Sequence, residues 1–530
     1  MRTKTLTPRW SLILFLLAIL LFEGLDIHAA KKPAVKPINP VKHIILFIGD
    51  GMHLEHEVAA SSYLFGDDFN LCFHWFPYKF SMATWDVTTY NHRATLLGKP
   101  PYHPQRILAT IGYDPALGGK LPYPLQTEGV NDDYFLNPQY ATDSASSATA
   151  WATGYKTDDG NLAWLPGDPS NGKLTTIAEL LRARKGFAIG VVSTVPFSHA
   201  TPAAHVSHNT NRDNYHAIAD EILRVTKPEV VIGGGHPLYA GEQYMPMTLY
   251  NDLKNNLIKD YVLVERETGG NATNAVRTAA QNAVRQGKKL FGLFGGAGGN
   301  FEPPIPQDSP GNPTIDRATI ENPLLRDATL AALQVLSHDP DGFFLMVEQG
   351  DIDWANHENN YQRMVGDVWD LHKAVEAAIE YVDQPGDAID WTNTLLIVTA
   401  DHANSYLRLN DAKRLGPGHL PRQITGTCPD NPAKACPNYP DGEVSYRLTA
   451  HTNELVRLYA IGYGAESLKQ FAGTWYPDTE IIDNTQLFLA MTKAAGLPRK
   501  APLHLLNTKP PTGSKPSHKP RRTRVEVQAE

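Results

Sequence analysis

The stretch IILFIGD, residues 44–50, is five branched or aromatic residues in a row, then a glycine, then an aspartate. A run of this kind, with no polar residue alternating through it, reads as a strand covered on both faces, the parallel strand of an α/β sheet. Two more runs end the same way: FFLMV (343–347) before Glu348, and LLIVT (395–399) before Ala400-Asp401. In parallel sheets the carboxyl ends of the strands line the binding crevice. Asp50, Glu348 and Asp401 are therefore expected on one edge. Three carboxylates there repel one another unless positive charge sits among them, and a metal cluster supplies it most economically.

Histidines accompany these carboxylates. His402 follows Asp401 directly, and Asp353 and His357 stand four apart, a spacing that puts both side chains on one face of a helical turn as a two-ligand zinc clip. Taken singly, each pair also fits a helix-surface ion pair. The candidate nucleophile lies in Thr142-Asp143-Ser144-Ala145-Ser146-Ser147-Ala148-Thr149-Ala150, small residues that let a helix start pack tightly and aim its N–H groups at an anion. Ser144 falls at that first turn. By composition alone the segment also fits a Ser/Ala linker or a plain serine cap.

Eight strings carry a more specific signal: FIGDGM (47–52), ATDSASSATAWATG (141–154), HATPAAHVSHNTNRDNY (199–215), VIGGG (231–235), GLFGG (292–296), FFLMVEQGDIDWANH (343–357), TADHA (399–403) and AHTNE (450–454). In this order, across residues 41–498, they resemble the alkaline phosphatases. The resemblance implies an α/β three-layer sandwich with a large, mostly parallel central sheet flanked by helices. It implies two zinc ions and one magnesium per chain. Asp353, His357 and His451 look like the ligands of one zinc, and Asp50, Asp401 and His402 like those of the other. Asp50 would bridge to the magnesium, with Thr201 and Glu348. Ser144 would be the nucleophile, passing through a phosphoserine, and Arg212 the phosphate-binding arginine, with Asp143 orienting either Arg212 or its own backbone. His199 and Trp354 stand beside the metal residues where the best-known bacterial pattern has Asp and Lys. His199 should weaken magnesium binding or admit another metal, and Trp354 should loosen phosphate.

Other conspicuous residues receive plainer readings. His205 and His208 are read as helix packing, and Gly233-Gly234-Gly235-His236 as a tight strand exit. Cys428 and Cys436 enclose a short loop and form the favoured disulfide, leaving Cys72 as a buried thiol beside Phe73 and Trp75.

The 530 residues, 42% hydrophobic, can bury a large core, and without an internal repeat they favour one domain carrying insertions at about 90–140 and 403–448. Net charge is 48 − 56 = −8, with no basic stripe in the body to suggest a nucleic-acid partner. Residues 1–30 read as a signal peptide: Arg2 and Lys4 precede an apolar run from Trp10 to Phe22, too short for a comfortable membrane span. The mature chain would then lack a span and be periplasmic or secreted; an uncleaved N-terminal anchor is the alternative. Residues 506–530 read as a disordered basic, Pro-rich tail. A homodimer is common in the family, though no interface is legible here.

Three functions follow: an exported phosphatase acting on small phosphate monoesters, a phosphodiesterase or nucleotide pyrophosphatase on the same metal scaffold, or a non-catalytic exported metal- or phosphate-binding protein. The Asp143-Ser144 pair with Arg212 favours the first.

Overall fold

The computed structural model describes residues 40–123, 125, 132–386 and 388–497; the expected signal peptide and basic tail lie outside them. Ten strands form one sheet: β1 (His43–Gly49), β2 (Tyr78–Ala83), β3 (Ala188–Pro196), β4 (Val230–Gly234), β5 (Tyr261–Glu265), β6 (Lys289–Leu293), β7 (Phe343–Gln349), β8 (Thr394–Thr399), β9 (Val456–Gly462) and β10 (Ile481–Asp483). They lie side by side in the order β10-β2-β9-β8-β1-β7-β3-β4-β6-β5. The three runs that open the sequence argument, in β1, β7 and β8, are central neighbours and parallel, buried on every residue. The apolar runs thus require cover on both faces. Helices supply it, and the chain is a mostly parallel α/β sandwich.

Five helices matter for the site: α1 (Leu54–Phe65), α2 (Ser144–Thr153), α3 (Ala200–Val206), α4 (Asp351–His357) and α5 (Tyr361–Val382). Helix α5 shows how sequence makes this cover. Asn360 caps it by accepting the Arg363 N–H, and Met364, Val365, Val368, Leu371 and Val375 recur at helical spacing to form its buried stripe against β1 and β7.

Register decides where the acids fall. Ile48 is level with both Glu348 and Thr399, so Asp50 and Asp401 each emerge two residues beyond one line that Glu348 occupies. Strand β9 runs antiparallel to both its neighbours, β8 and β2. The reversal brings the residues before it, including His451, to the same edge that the parallel strands reach at their ends. The Gly233–Gly235 segment is the strand exit expected: Gly235 has φ of 91°, and a Cβ on Gly234 would lie 2.0 Å from the Gly299 carbonyl oxygen.

The described residues of the stretch at 90–140, weakly periodic in sequence, include short helices around a satellite aromatic cluster with Trp85, Tyr90, Tyr113, Tyr134 and Phe135. It meets the second insertion directly, since Arg447 reaches Asp132 at 3.1 Å and Tyr406 donates to the same carboxylate. That second insertion is built from two-stranded pieces, among them the hairpin of Ile424–Thr427 and Ala435–Asn438.

Two plain readings need correction. His205 is buried on α3, accepting from Trp151 at 3.2 Å. His208 is not helix packing: it lies beyond the end of α3, its Nδ1 3.0 Å from Glu221 and its Nε2 2.9 Å from the Leu174 carbonyl. Cys72 is half-buried rather than buried, its thiol donating to the His372 carbonyl at 3.4 Å. Cys428 and Cys436 are joined by a disulfide.

Candidate active site

Asp50 leaves β1 into a turn that depends on Gly51, whose φ is 66° and where a Cβ would lie 2.7 Å from Asp353 Oδ1. The Gly51 and His402 N–H groups both donate to Asp401 Oδ1 at 2.9 Å. The second oxygen of Asp401 is left 3.2 Å from His402 Nε2, and Asp50 Oδ1 lies 3.5 Å from the same nitrogen. Asp50, Asp401 and His402 are thereby one buried group with facing ligand atoms. Burial, then the nearby carboxylates of Asp401, Asp353 and Glu348, pushes the Asp50 carboxyl well above its ordinary range. Burial likewise lowers His402, to about 4, in spite of Asp401 beside it.

A second group forms next to it. On α4, Asp353 Oδ2 lies 3.2 Å from His357 Nε2, and Asp353 Oδ1 lies 3.5 Å from His451 Nε2. The two imidazole Nε2 atoms face each other at 3.1 Å. His357 Nδ1 donates to the Thr449 carbonyl at 2.6 Å and His451 Nδ1 to the Thr142 carbonyl at 2.8 Å, so each ring turns Nε2 toward the site. This outer group is more open than the inner one, with the His357 side chain 36% exposed against 0% for His402. His402 and His451 stack at 3.5 Å between ring centroids, joining the two groups.

Glu348, at the end of β7, accepts from Ser193 at 2.5 Å, and burial raises its carboxyl to about 7. Thr201 sits in the first turn of α3. Four buried oxygens at this edge, Asp50 Oδ1, Thr201 Oγ1, Glu348 Oε1 and Asp401 Oδ2, have no hydrogen-bond partner among the described residues. Leaving such atoms dry and unpaired is costly, and bound cations remove the cost. The two groups that mix imidazole with carboxylate suit zinc, and the all-oxygen set of Asp50, Thr201 and Glu348 suits magnesium.

Ser144 begins α2, with Asp143 as the cap that accepts the Ser146 N–H at 2.8 Å. Its Oγ lies 3.3 Å from His402 Nε2, so the serine stands against the inner group. Arg212 donates to Asp143 Oδ2 at 2.8 Å, and its backbone N–H is held by the Gly160 carbonyl. Burial alone would raise the Asp143 carboxyl, but the Arg212 charge together with hydrogen bonds from Ser146 and Arg212 keeps it well below its usual range. His199 is half-buried near Trp354, at 5.9 Å between rings, and removal of its ring from water followed by the Arg212 charge lowers it to about 3.

The structure brings the expected metal-binding residues, Ser144, Asp143, Arg212, His199 and Trp354 together at this edge, and the Cys428–Cys436 pair lies in the loop of the second insertion. Sequence reasoning passed over several neighbours: Ser193, Asn404, whose amide donates to Asp353 Oδ1 at 2.6 Å, and Ser147, which donates to the Asp401 carbonyl at 2.7 Å. It also missed Asp86 and Asp159, which gather with Asp143 beside Arg212. Only the pairing of Ser193 with Glu348 across β3 and β7 had a signal to find, and it required the strand register.

The sequence profile of the family described as "Alkaline phosphatase" matches residues 123–425. The chain belongs to that family. It is 31% identical over 397 residues to an alkaline phosphatase of Escherichia fergusonii, covering 68% of this chain and 75% of the relative. With the alkaline phosphatase of Escherichia coli K12 it shares 30% over 415 residues, 70% of this chain and 79% of that one. The fold matches the crystal structure of Thermus thermophilus alkaline phosphatase with a TM-score of 0.56 at 20% identity, over 90% of this chain and 97% of that one. A mutant of the TAB5 alkaline phosphatase solved with Mg bound matches with a TM-score of 0.54 at 19% identity, over 87% and 99%. Family membership makes this chain a phosphatase and sets aside the non-catalytic reading.

Proposed function

We propose that this phosphatase is an exported enzyme that hydrolyses small phosphate monoesters through a phosphoserine on Ser144, with two zinc ions and one magnesium. One zinc is held by Asp50, Asp401 and His402, the other by Asp353, His357 and His451, and the magnesium by Asp50, Thr201 and Glu348. The observation that carries this reading is the serine hydroxyl 3.3 Å from His402, standing between unpaired buried oxygens and the start of a helix.

When bound, the cations supply positive charge that screens the dianion and stabilises the attacking and departing oxygens. The chain's own residues do the rest. The first turn of α2 presents the positive end of its dipole to the phosphoryl group. Arg212, held by Asp143, offers its planar fork to two non-bridging oxygens. Ser144 Oγ forms a bond to phosphorus as the bond to the alcohol oxygen breaks, leaving a phosphoserine and a free alcohol. Water then attacks phosphorus, the serine recovers its proton, and inorganic phosphate leaves. Trp354, which brings no cation to the phosphate, favours faster product release.

Metal analysis together with turnover of an aryl phosphate monoester tests this reading. Ser144→Ala should keep the wild-type metal content and lose about three orders of magnitude or more in turnover. Unchanged turnover removes Ser144 from the role. Faster cleavage of the matching bis-ester would make the enzyme a phosphodiesterase.

A further inference from the structure

The inner metal group hangs from two neighbouring strands, but the outer one hangs from the short helix α4 and the segment before β9, and it is open to water. Its rings still hold a fixed orientation. The Thr142 carbonyl turns His451, and the chain of contacts that holds His357 leads back to the second insertion.

His357 Nδ1 meets the Thr449 carbonyl, which can only accept, so the ring proton sits on Nδ1 and the Nε2 lone pair faces the site. Thr449 is in turn gripped by one side chain: Asp430 Oδ2 accepts its N–H at 2.7 Å, and both Asp430 oxygens lie 3.1 Å from its hydroxyl. From the same loop, Lys434 Nζ donates to the His357 carbonyl at 3.0 Å. The loop therefore holds His357 by its ring and by its backbone.

Asp430 and Lys434 are both exposed, so water competes for each of these contacts. They persist only if the loop is held shut. The Cys428–Cys436 disulfide closes it at its base, with both cysteines 2% exposed, and inside it the Cys428 N–H reaches the Lys434 carbonyl at 3.0 Å. A crosslink this local removes the open conformations that would compete with the closed one.

We propose that the disulfide-closed loop 428–436 is the support of the outer metal group, with Asp430 as a positioning residue that acts through Thr449 on His357. The inference rests on the zinc reading above. Its consequence is selective: loss of the loop loosens the zinc held by Asp353, His357 and His451 and leaves the other in place.

Zinc release to a chromogenic chelator, followed in the oxidised full-length protein, tests it. Wild type should release its zinc in two phases. Asp430→Ala and the double variant Cys428→Ala/Cys436→Ala should speed the faster phase about 10–100-fold and leave the slower one unchanged. Asp430→Asn, which still accepts from the Thr449 N–H, should fall between them. If the double variant does not fold, Asp430→Ala decides, since it changes only an exposed side chain. Unchanged release, or equal acceleration of both phases, overturns the proposal. A wild type that binds no zinc overturns the metal reading instead.

Discussion

Behind helix α2 and at the carboxyl edge of the sheet, the molecule buries ionised groups in opposite ways. Behind α2, Lys156 is 2% exposed, yet its ammonium lies 3.0 Å from Asp483, donates to the Trp85 carbonyl and to Asn484 at 2.6 Å each, and rests 4.1 Å over the Trp85 ring. At the edge, Asp50, Glu348 and Asp401 are buried as deeply but keep oxygens with no hydrogen-bond partner among the described residues. The same fold that sets one buried carboxylate against a buried ammonium gives the other set no such cation among the described residues. On the metal reading proposed above, the open set is where ions from outside would sit, and the contrast would separate charge that stabilises the fold from charge that serves the reaction.

The sharpest way to break this contrast is Lys156→Met. Removing one partner of a buried pair strands the other, so urea denaturation of the metal-loaded protein should show a loss of about 3–5 kcal/mol. A loss below about 1 kcal/mol would mean the pair is no better satisfied than the site carboxylates. Next comes His208, a paired group of the same kind. Burial alone would lower it, but hydrogen bonds and charge from Glu179 and Glu221 raise it to about 9. Because the folded value is raised, its contribution is fully present below about pH 6.5 and is lost as pH climbs through about 9. Glu179 is 38% exposed and screened by water, which leaves about 2 kcal/mol. Wild-type stability should fall by that amount between pH 6 and 10, whereas His208→Gln should show no such slope.

The smallest effect has the opposite sign. In chelator-treated protein at pH 8, Asp50→Asn should be more stable than wild type by about 1–2 kcal/mol, because it removes a buried carboxylate that its neighbours repel. With metals restored, the order should reverse. If the stripped variant melts below wild type, the edge is not held open by unpaired charge.

Much of this edge was legible in the chain. The runs ending at Asp50, Glu348 and Asp401 name three central strands, and the four-residue spacing of Asp353 and His357 names a helical turn, because both patterns are short-range. His208 was misread for the complementary reason. Its partners Glu179 and Glu221 come from other helices, and no spacing around His208 announces them. The aromatic cluster in the stretch at 90–140 stayed hidden because its members come from scattered short helices with no common period.

Alone, then, the sequence determined which segments are buried strands, which residues end them, and where the serine starts its helix, since burial and helix starts are written in local residue order. The tertiary structure decided the rest. Strand register brought the three acids to one edge, the reversed strand β9 delivered His451 to them, and long-range contacts chose which buried charges find a partner among the described residues and which do not. Those outcomes depend on distances between segments far apart in the chain, and such distances exist only once the sheet has formed.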